Sequence, residues 1–367
     1  MHGLRASPVG RVLVLLREVF GREAERAAGE IDAILRRSRV RVVAALDRAV
    51  RDADTQAALG QGFVDVQPWQ LARLDRLGEP AGAVLGVLSL VRDGHTREAA
   101  VLRLQPRFDR LATAFLINRV NDYVRPVAEL AWGALTRRLV PRHAGLVIAC
   151  LPLVDRMAEW TRAAGCVAEV HAFVRSGHPE VRAALWAGLQ AGDPEVVVSA
   201  AWHLAVVHRG GPEIEAVLAA ALTVREPRVR RWAAALATDV EWTPPAVFRA
   251  LAARLAGDRT PGIRAIGVRG LARLGDRDGL VRAAFDTNAE VRHQARVAVA
   301  AAFTPPDYRG EALRTLAEQP DRGRVLAALA LLSEFGRSED AALVERFLDD
   351  PRAAVAREAR RTRARLP

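Results

Sequence analysis

The chain of 367 residues contains no lysine, so all 54 of its basic side chains are arginine. This excludes a P-loop lysine, a Schiff-base lysine and any lysine general base. Two cysteines, Cys150 and Cys166, are too few for a four-cysteine zinc site and suggest no disulfide framework. Aromatic residues make up only 5%. Long apolar runs are missing as well. Val12 to Leu16 is cut short by Arg17 and Glu18, and no later stretch approaches the ~18 uncharged residues of a membrane helix. Neither a leader peptide nor a membrane span is expected, and a cytoplasmic location is the default. The motifs His-Glu-x-x-His, Gly-x-Ser-x-Gly and Gly-x-Gly-x-x-Gly are absent, so no metal, nucleophile elbow or dinucleotide cofactor is expected.

Ala, Leu, Val and Arg dominate every block. Ala, Leu and Arg favour helix because they lose little rotamer freedom there or bury no polar group. Proline and glycine fall mostly between apolar runs, as helix punctuation. One pattern recurs: a turn residue, then a β-branched residue often followed by Arg, then Ala-rich helix. It reads Gly177-His178-Pro179-Glu180-Val181-Arg182, Glu226-Pro227-Arg228-Val229-Arg230, Thr260-Pro261-Gly262-Ile263-Arg264, Asn288-Ala289-Glu290-Val291-Arg292 and Asp350-Pro351-Arg352-Ala353-Ala354-Val355. Asp193-Pro194-Glu195-Val196 is a weaker copy. Asp, Asn or Thr caps the first amides, and Pro fits a position that needs no N–H. From Val229 the apolar anchors fall at Ile263, Val291, Val325 and Val355, spaced by 34, 28, 34 and 30 residues. Two helices and their turns need about that length, and each pair hides its apolar face only against a neighbour.

The Asp-Pro-x-Val-Arg-x-x-Ala pattern resembles HEAT repeats, in the short bacterial form shared with the phycobilin-lyase-like group, over residues 83–367. Asp93 to Ala100 and Arg119 to Val127 resemble a narrower group of bacterial HEAT-repeat proteins. That resemblance carries fold and nothing catalytic, and it leaves the repeat valine there as either Val124 or Val127. The fold it implies is all-α: a right-handed α-solenoid, or HEAT-like repeat superhelix, of seven to nine units. Residues 1–82 lack the repeat. Val12 to Phe20, Glu23 to Arg37 and Val40 to Asp52 read as helices, and Gln61 to Trp69 as a loop. This region is expected to be a helical N-terminal cap.

Charge is uneven. Net charge is +2 over residues 1–95, +5 over 96–142, −3 over 143–220 and +7 over 221–367. The basic C-terminal part suits phosphate contacts, while the absence of lysine beside so much arginine matches codon bias in a GC-rich bacterial genome. Candidate nucleic-acid or partner-binding residues are Arg225, Arg228, Arg230, Arg231, Arg357, Arg360 and Arg361, with Trp202 and Trp232. Against this stands the role of repeat arginines as struts between neighbouring helices. His171, His178, His203 and His208 cluster in sequence, and His171 and His178, seven apart, would share a face of one helix. No carboxylate lies at a convincing ligand spacing, so no metal site is expected.

The expected function is a non-enzymatic scaffold that holds a protein or peptide partner in its concave groove. The alternative is nucleic-acid binding, in its enzymatic form an alkylpurine-type DNA glycosylase for which Asp155 with Trp160, or Asp193 with Trp202, are loose candidates.

Overall fold

A computed structural model describes residues 7–52, 66–318 and 321–367. Among these every regular element is helical and none is a strand. Contacts divide the chain into two compact units, residues 1–207 and 208–367.

In the first unit the helices are α1 (Pro8–Glu18), α2 (Ala24–Arg37), α3 (Val42–Arg51), α4 (Pro68–Leu74), α5 (Ala81–Leu88), α6 (Gly94–Leu104), α7 (Arg110–Arg119), α8 (Arg125–Thr136), α9 (Ala144–Ala149), α10 (Leu151–Met157), α11 (Ala164–Val174), α12 (Pro179–Gly188) and α13 (Pro194–Val207). The second unit continues with α14 (Ile214–Thr223), α15 (Pro227–Ala237), α16 (Pro245–Ala256), α17 (Pro261–Leu274), α18 (Arg277–Ala283), α19 (Ala289–Ala302), α20 (Tyr308–Ala317), α21 (Arg322–Phe335), α22 (Ala341–Glu345) and α23 (Ala353–Arg363). Each unit is an α-solenoid stack. In the second, α15 packs on α17, α17 on α16 and α19, and α21 on α20 and α23, so helices touch those next or next but one in sequence.

The repeat pattern fixes where these helices start. Val181, Val229, Ile263, Val291 and Val355 each occupy the third position of their helix and are buried. Val127 holds the same place in α8, whereas Val124 is that helix's N-cap, so the register ambiguity resolves to Val127. Asn288 caps α19 by accepting from the amides of Glu290 and Val291, and Asp93 caps α6 by accepting from Thr96 at 2.6 Å.

Three arginines near the starts of their helices are struts, whereas Arg182, which follows Val181, is exposed. Arg97 donates to the carbonyls of Val91 and Arg92, Arg264 to those of Asp258 and Arg259, and Arg292 to those of Asp286 and Thr287. Each guanidinium thus closes the turn in front of its own helix, where carbonyls would otherwise lack partners. Two of them also reach the aspartate of the following turn: Arg97 to Asp122 at 3.0 Å and Arg264 to Asp286 at 2.6 Å. Those aspartates fold their own turns by accepting from the amides of Val124 and Asn288. Side-chain to local backbone bonding of this kind is what makes Asp a turn former.

Helix α17 meets α16 by close backbone approach. A Cβ at Gly267 would lie 2.2 Å from the Ala256 nitrogen. Only glycine fits there.

The N-terminal region is helical as expected, but it is not confined to an end face. Helix α2 packs on α5 and α3 on α7, and Arg110 of α7 donates to the carbonyls of Leu35, Arg36 and Ser38. The turn after α2 reaches much further along the chain. The Val40 amide donates to Asp193 at 2.9 Å, and Arg41 pairs with Glu195 at 2.6 Å. Contact only between next-door repeats therefore fails in this unit, because the turn between α2 and α3 bridges to the start of α13. The expected loop at Gln61–Trp69 falls partly on residues 61–65, outside the described residues. Its last part is helix instead: Pro68 opens α4, and the Gln67 amide donates to the Gln70 side chain at 2.8 Å.

Candidate functional site

The bridge between α2–α3 and α13 borders an open cavity of about 770 Å³ in the first unit. Its walls come from α1, the α2–α3 turn, α10 and the start of α13. Val9, Val42, Pro152 and Leu153 supply an apolar lining, and Arg37, Arg39, Arg41, Arg48 and Arg156 supply the charge. Among the described residues Glu195 is the only acidic lining residue, and it is paired with Arg41. Arg37, Arg39, Arg48 and Arg156 are exposed and make no ion pair among the described residues. The wall thus combines exposed guanidinium groups with an apolar lining, a chemistry that suits an anion carried next to an apolar group.

Local sequence explains the clustering. Arg37 ends α2, where a cation complements the helix C-terminus. Arg39 and Arg41 sit in the turn held by Asp193 and Glu195. Arg156 lies one helical turn after Pro152 on α10, so both face the same side.

Next to this wall is a second assembly. Asp155 of α10 accepts at one oxygen, Oδ1, from His171 Nε2 of α11 at 3.0 Å and from His203 Nε2 of α13 at 3.1 Å. The buried Ser199 hydroxyl also donates to Asp155. Burial pushes the Asp155 carboxyl up, but the bonds from His171, His203 and Ser199 outweigh it and hold the group well below the usual carboxylate range. His203 is fully buried, and Arg175 donates to its other nitrogen, Nδ1, at 3.2 Å. The two rings meet edge to face with centroids 4.8 Å apart.

Sequence reasoning missed this assembly because its members lie 16 and 48 residues from Asp155. The only available signal was helical phase: Ser199 and His203 are one turn apart on α13. His178 does not join it, and it shares no helix with His171. It precedes α12 and accepts from the Glu180 amide at 3.3 Å. Cys150 is buried, and burial pushes its thiol up to about 12, so it is not a nucleophile at neutral pH.

The residues singled out from the sequence fall elsewhere. Arg230 is buried and donates to the Thr260 hydroxyl at 3.2 Å, the strut role again. Arg225, Arg228 and Arg231 are exposed around the start of α15. Arg357, Arg360 and Arg361 are exposed on α23, where Arg360 donates to the Leu348 carbonyl and Arg361 lies 3.9 Å from Glu358. Trp202 is exposed on α13 in the first unit, and Trp232 is half-buried on α15 in the second. Of the loose glycosylase candidates, Asp193 spends both oxygens on the amides of Val40 and Glu195, and Asp155 faces histidines.

No helix among the described residues is long and apolar enough to cross a membrane. No protein-family model and no curated protein matches the chain. Among solved structures it is similar to an engineered protein, at 17% identity and a TM-score of 0.28, over 97% of this chain and 98% of that one. It is also similar to the karyopherin Kap121p, solved bound to the extreme C-terminus of the protein phosphatase Cdc14p. That match has 13% identity and a TM-score of 0.39, and covers 98% of this chain but only 46% of the karyopherin.

Proposed function

We propose that the chain is a non-enzymatic HEAT-like scaffold that binds an acidic protein or peptide segment, with the arginine-lined cavity of the first unit as its docking point. The proposal includes the division into an N-terminal cap, residues 1–82, and a repeat array, residues 83–367. The observation that carries it is the set of four guanidinium groups, of Arg37, Arg39, Arg48 and Arg156, that stand around an apolar lining with no ion pair among the described residues. Arginine forks match carboxylates bidentately, and the lining accepts one or two apolar side chains next to the acid. A nucleic-acid backbone would need cations in a row rather than around a pocket, and it brings no aliphatic group for Leu153 or Val42 to contact. The repeat arginines support the same reading, since Arg97, Arg230, Arg264 and Arg292 are spent on turns and neighbouring helices.

The test is fluorescence anisotropy with a labelled Asp/Glu-rich peptide ending in leucine, beside a labelled duplex DNA, at two salt concentrations. The peptide is expected to bind, and Arg39→Glu with Arg48→Glu is expected to weaken it at least about tenfold. Peptide binding indifferent to those substitutions refutes the site. DNA binding that falls by orders of magnitude as salt rises would return the protein to the nucleic-acid reading.

A further inference from the structure

Asp155, His171 and His203 offer one carboxylate oxygen and two imidazole nitrogens whose ligand atoms all lie within 4.8 Å of one another. We propose that they form a binding site for a divalent first-row transition ion, a two-histidine, one-carboxylate centre between α10, α11 and α13.

Two of the three donor separations already match what such an ion requires, and the third, between the imidazole nitrogens, is within 4.8 Å and closes on binding. Bonds of about 2.0–2.2 Å to N and O ligands, at tetrahedral or octahedral angles, place neighbouring donor atoms about 2.8–3.6 Å apart. The two nitrogen-to-oxygen separations are 3.0 and 3.1 Å. The donor set of imidazole nitrogen with carboxylate oxygen suits Zn²⁺, Fe²⁺ or Co²⁺ and not Ca²⁺ or Mg²⁺, which take oxygen alone. The support around the ligands also fits. Ser199, buried, fixes the carboxylate, and burial of His203 fixes one ring. Asp155 and His171 retain partial exposure, with side chains 31% and 20% accessible, so an ion would have an entry path and an open coordination position. Three protein ligands and an open position are the arrangement of a reactive or ligand-accepting centre, whereas a structural zinc site is closed by four.

One neighbour opposes loading, and this makes the inference testable. Arg175 donates its Nε–H to His203 Nδ1, which requires the tautomer with its proton on Nε2, the atom the ion needs. Binding therefore moves the proton of each histidine from Nε2 to Nδ1, and the exposed Arg175 must turn away from His203 into solvent. A ligating histidine ordinarily donates that second N–H to a carboxylate or carbonyl. Arg175→Glu would supply such an acceptor at the end of α11.

The experiment uses the full chain, stripped with a chelator and titrated with Co²⁺ while visible absorption is followed, then with Zn²⁺ in competition. One ion per chain is expected, with His171→Ala and Asp155→Asn each weakening binding by more than about 100-fold. Circular dichroism and thermal melting confirm that each variant is folded. His171 is only part-buried, so its removal leaves the core intact. Arg175→Glu is expected to tighten binding about tenfold or more. A purely structural hydrogen-bond network predicts no such gain. Absence of Co²⁺ binding, binding unchanged in His171→Ala and Asp155→Asn, or Arg175→Glu binding no tighter than the parent would each overturn the site. The peptide test above is independent of all these results.

Discussion

Removing Asp122 should cost more stability than any exposed ion pair in the first unit. Its carboxylate is fully buried and receives Arg97 at 3.0 Å, Arg119 at 2.9 Å and the Val124 amide at 2.9 Å. Arg97 and Arg119 are themselves buried to within 2% of complete. In Asp122→Ala, Arg97 keeps two carbonyls and no counter-charge, and Arg119 keeps Asp47. Leaving one member of a buried pair unmatched costs about 3–5 kcal/mol, and loss of the amide acceptor adds about 1 kcal/mol. Urea denaturation at neutral pH, followed by far-UV circular dichroism, measures the loss. Placing Arg97→Met in the Asp122→Ala background should recover part of it, because the stranded charge goes too and a methionine fills the space. High salt should change little, since ions do not reach the site. A loss below about 1 kcal/mol, or one that salt abolishes, would show that both guanidinium groups are hydrated in solution and that the strut argument is wrong.

Two further outcomes follow from the second unit. Gly267→Ala should destabilise by about 1–3 kcal/mol or more, because the added methyl meets the α16 backbone and not a movable side chain. Gly262→Ala in the same helix meets nothing within 4 Å and should stabilise by up to about 1 kcal/mol; equal effects in a thermal melt would refute the packing account. The Arg309 guanidinium, with the Arg337 amide, holds the Asp340 carboxyl below its usual range. A depressed folded-state pKa adds stability that is present above about pH 4 and lost as pH falls through the folded value. Asp340→Asn should therefore flatten the acid side of a pH–stability profile, and an unchanged slope below about pH 4 would count against the assignment.

Helix starts and core anchors were legible because both are local. A capping residue or Pro at the start and a β-branched residue at the third position place the helices that begin before Val127, Val181, Val229, Ile263, Val291 and Val355, whereas Val325 is the fourth residue of its helix. Arg292 bonds the turn just before its own helix, whereas Arg230, singled out from the sequence as a binding candidate, is buried against Thr260, 30 residues on, a contact that no local pattern announces. The cavity was not legible either, because nothing local says that the turn at Val40 and Arg41 meets Asp193 and Glu195, more than 150 residues away. Asp155, His171 and His203 lie on three helices, and His203 sits in an otherwise apolar stretch that reads as core. Predicted arginines such as Arg228 and Arg361 stand out by density. Density does not distinguish a solvated face from a pocket wall: the run Arg36, Arg37, Arg39 and Arg41 is as dense as the group around Arg228, and nothing local says that it meets Arg156.

The clamps of the second unit also decide where this protein can change. At the turn carrying Asp286, one arginine arrives from the preceding repeat at the carboxylate and another from the following helix at the carbonyl. A residue inserted between Asp286 and Asn288 would unfasten both, so that rim is closed to length variation. The opposite rim is fastened unevenly: Arg209 and Arg273 hold the connection at Thr238 to Glu241, and Arg309 holds Asp340, whereas no arginine donates to the connection from Phe303 to Asp307 among the described residues. An inserted residue is therefore expected to cost least stability between Phe303 and Asp307, which a thermal melt of the insertion variants would measure.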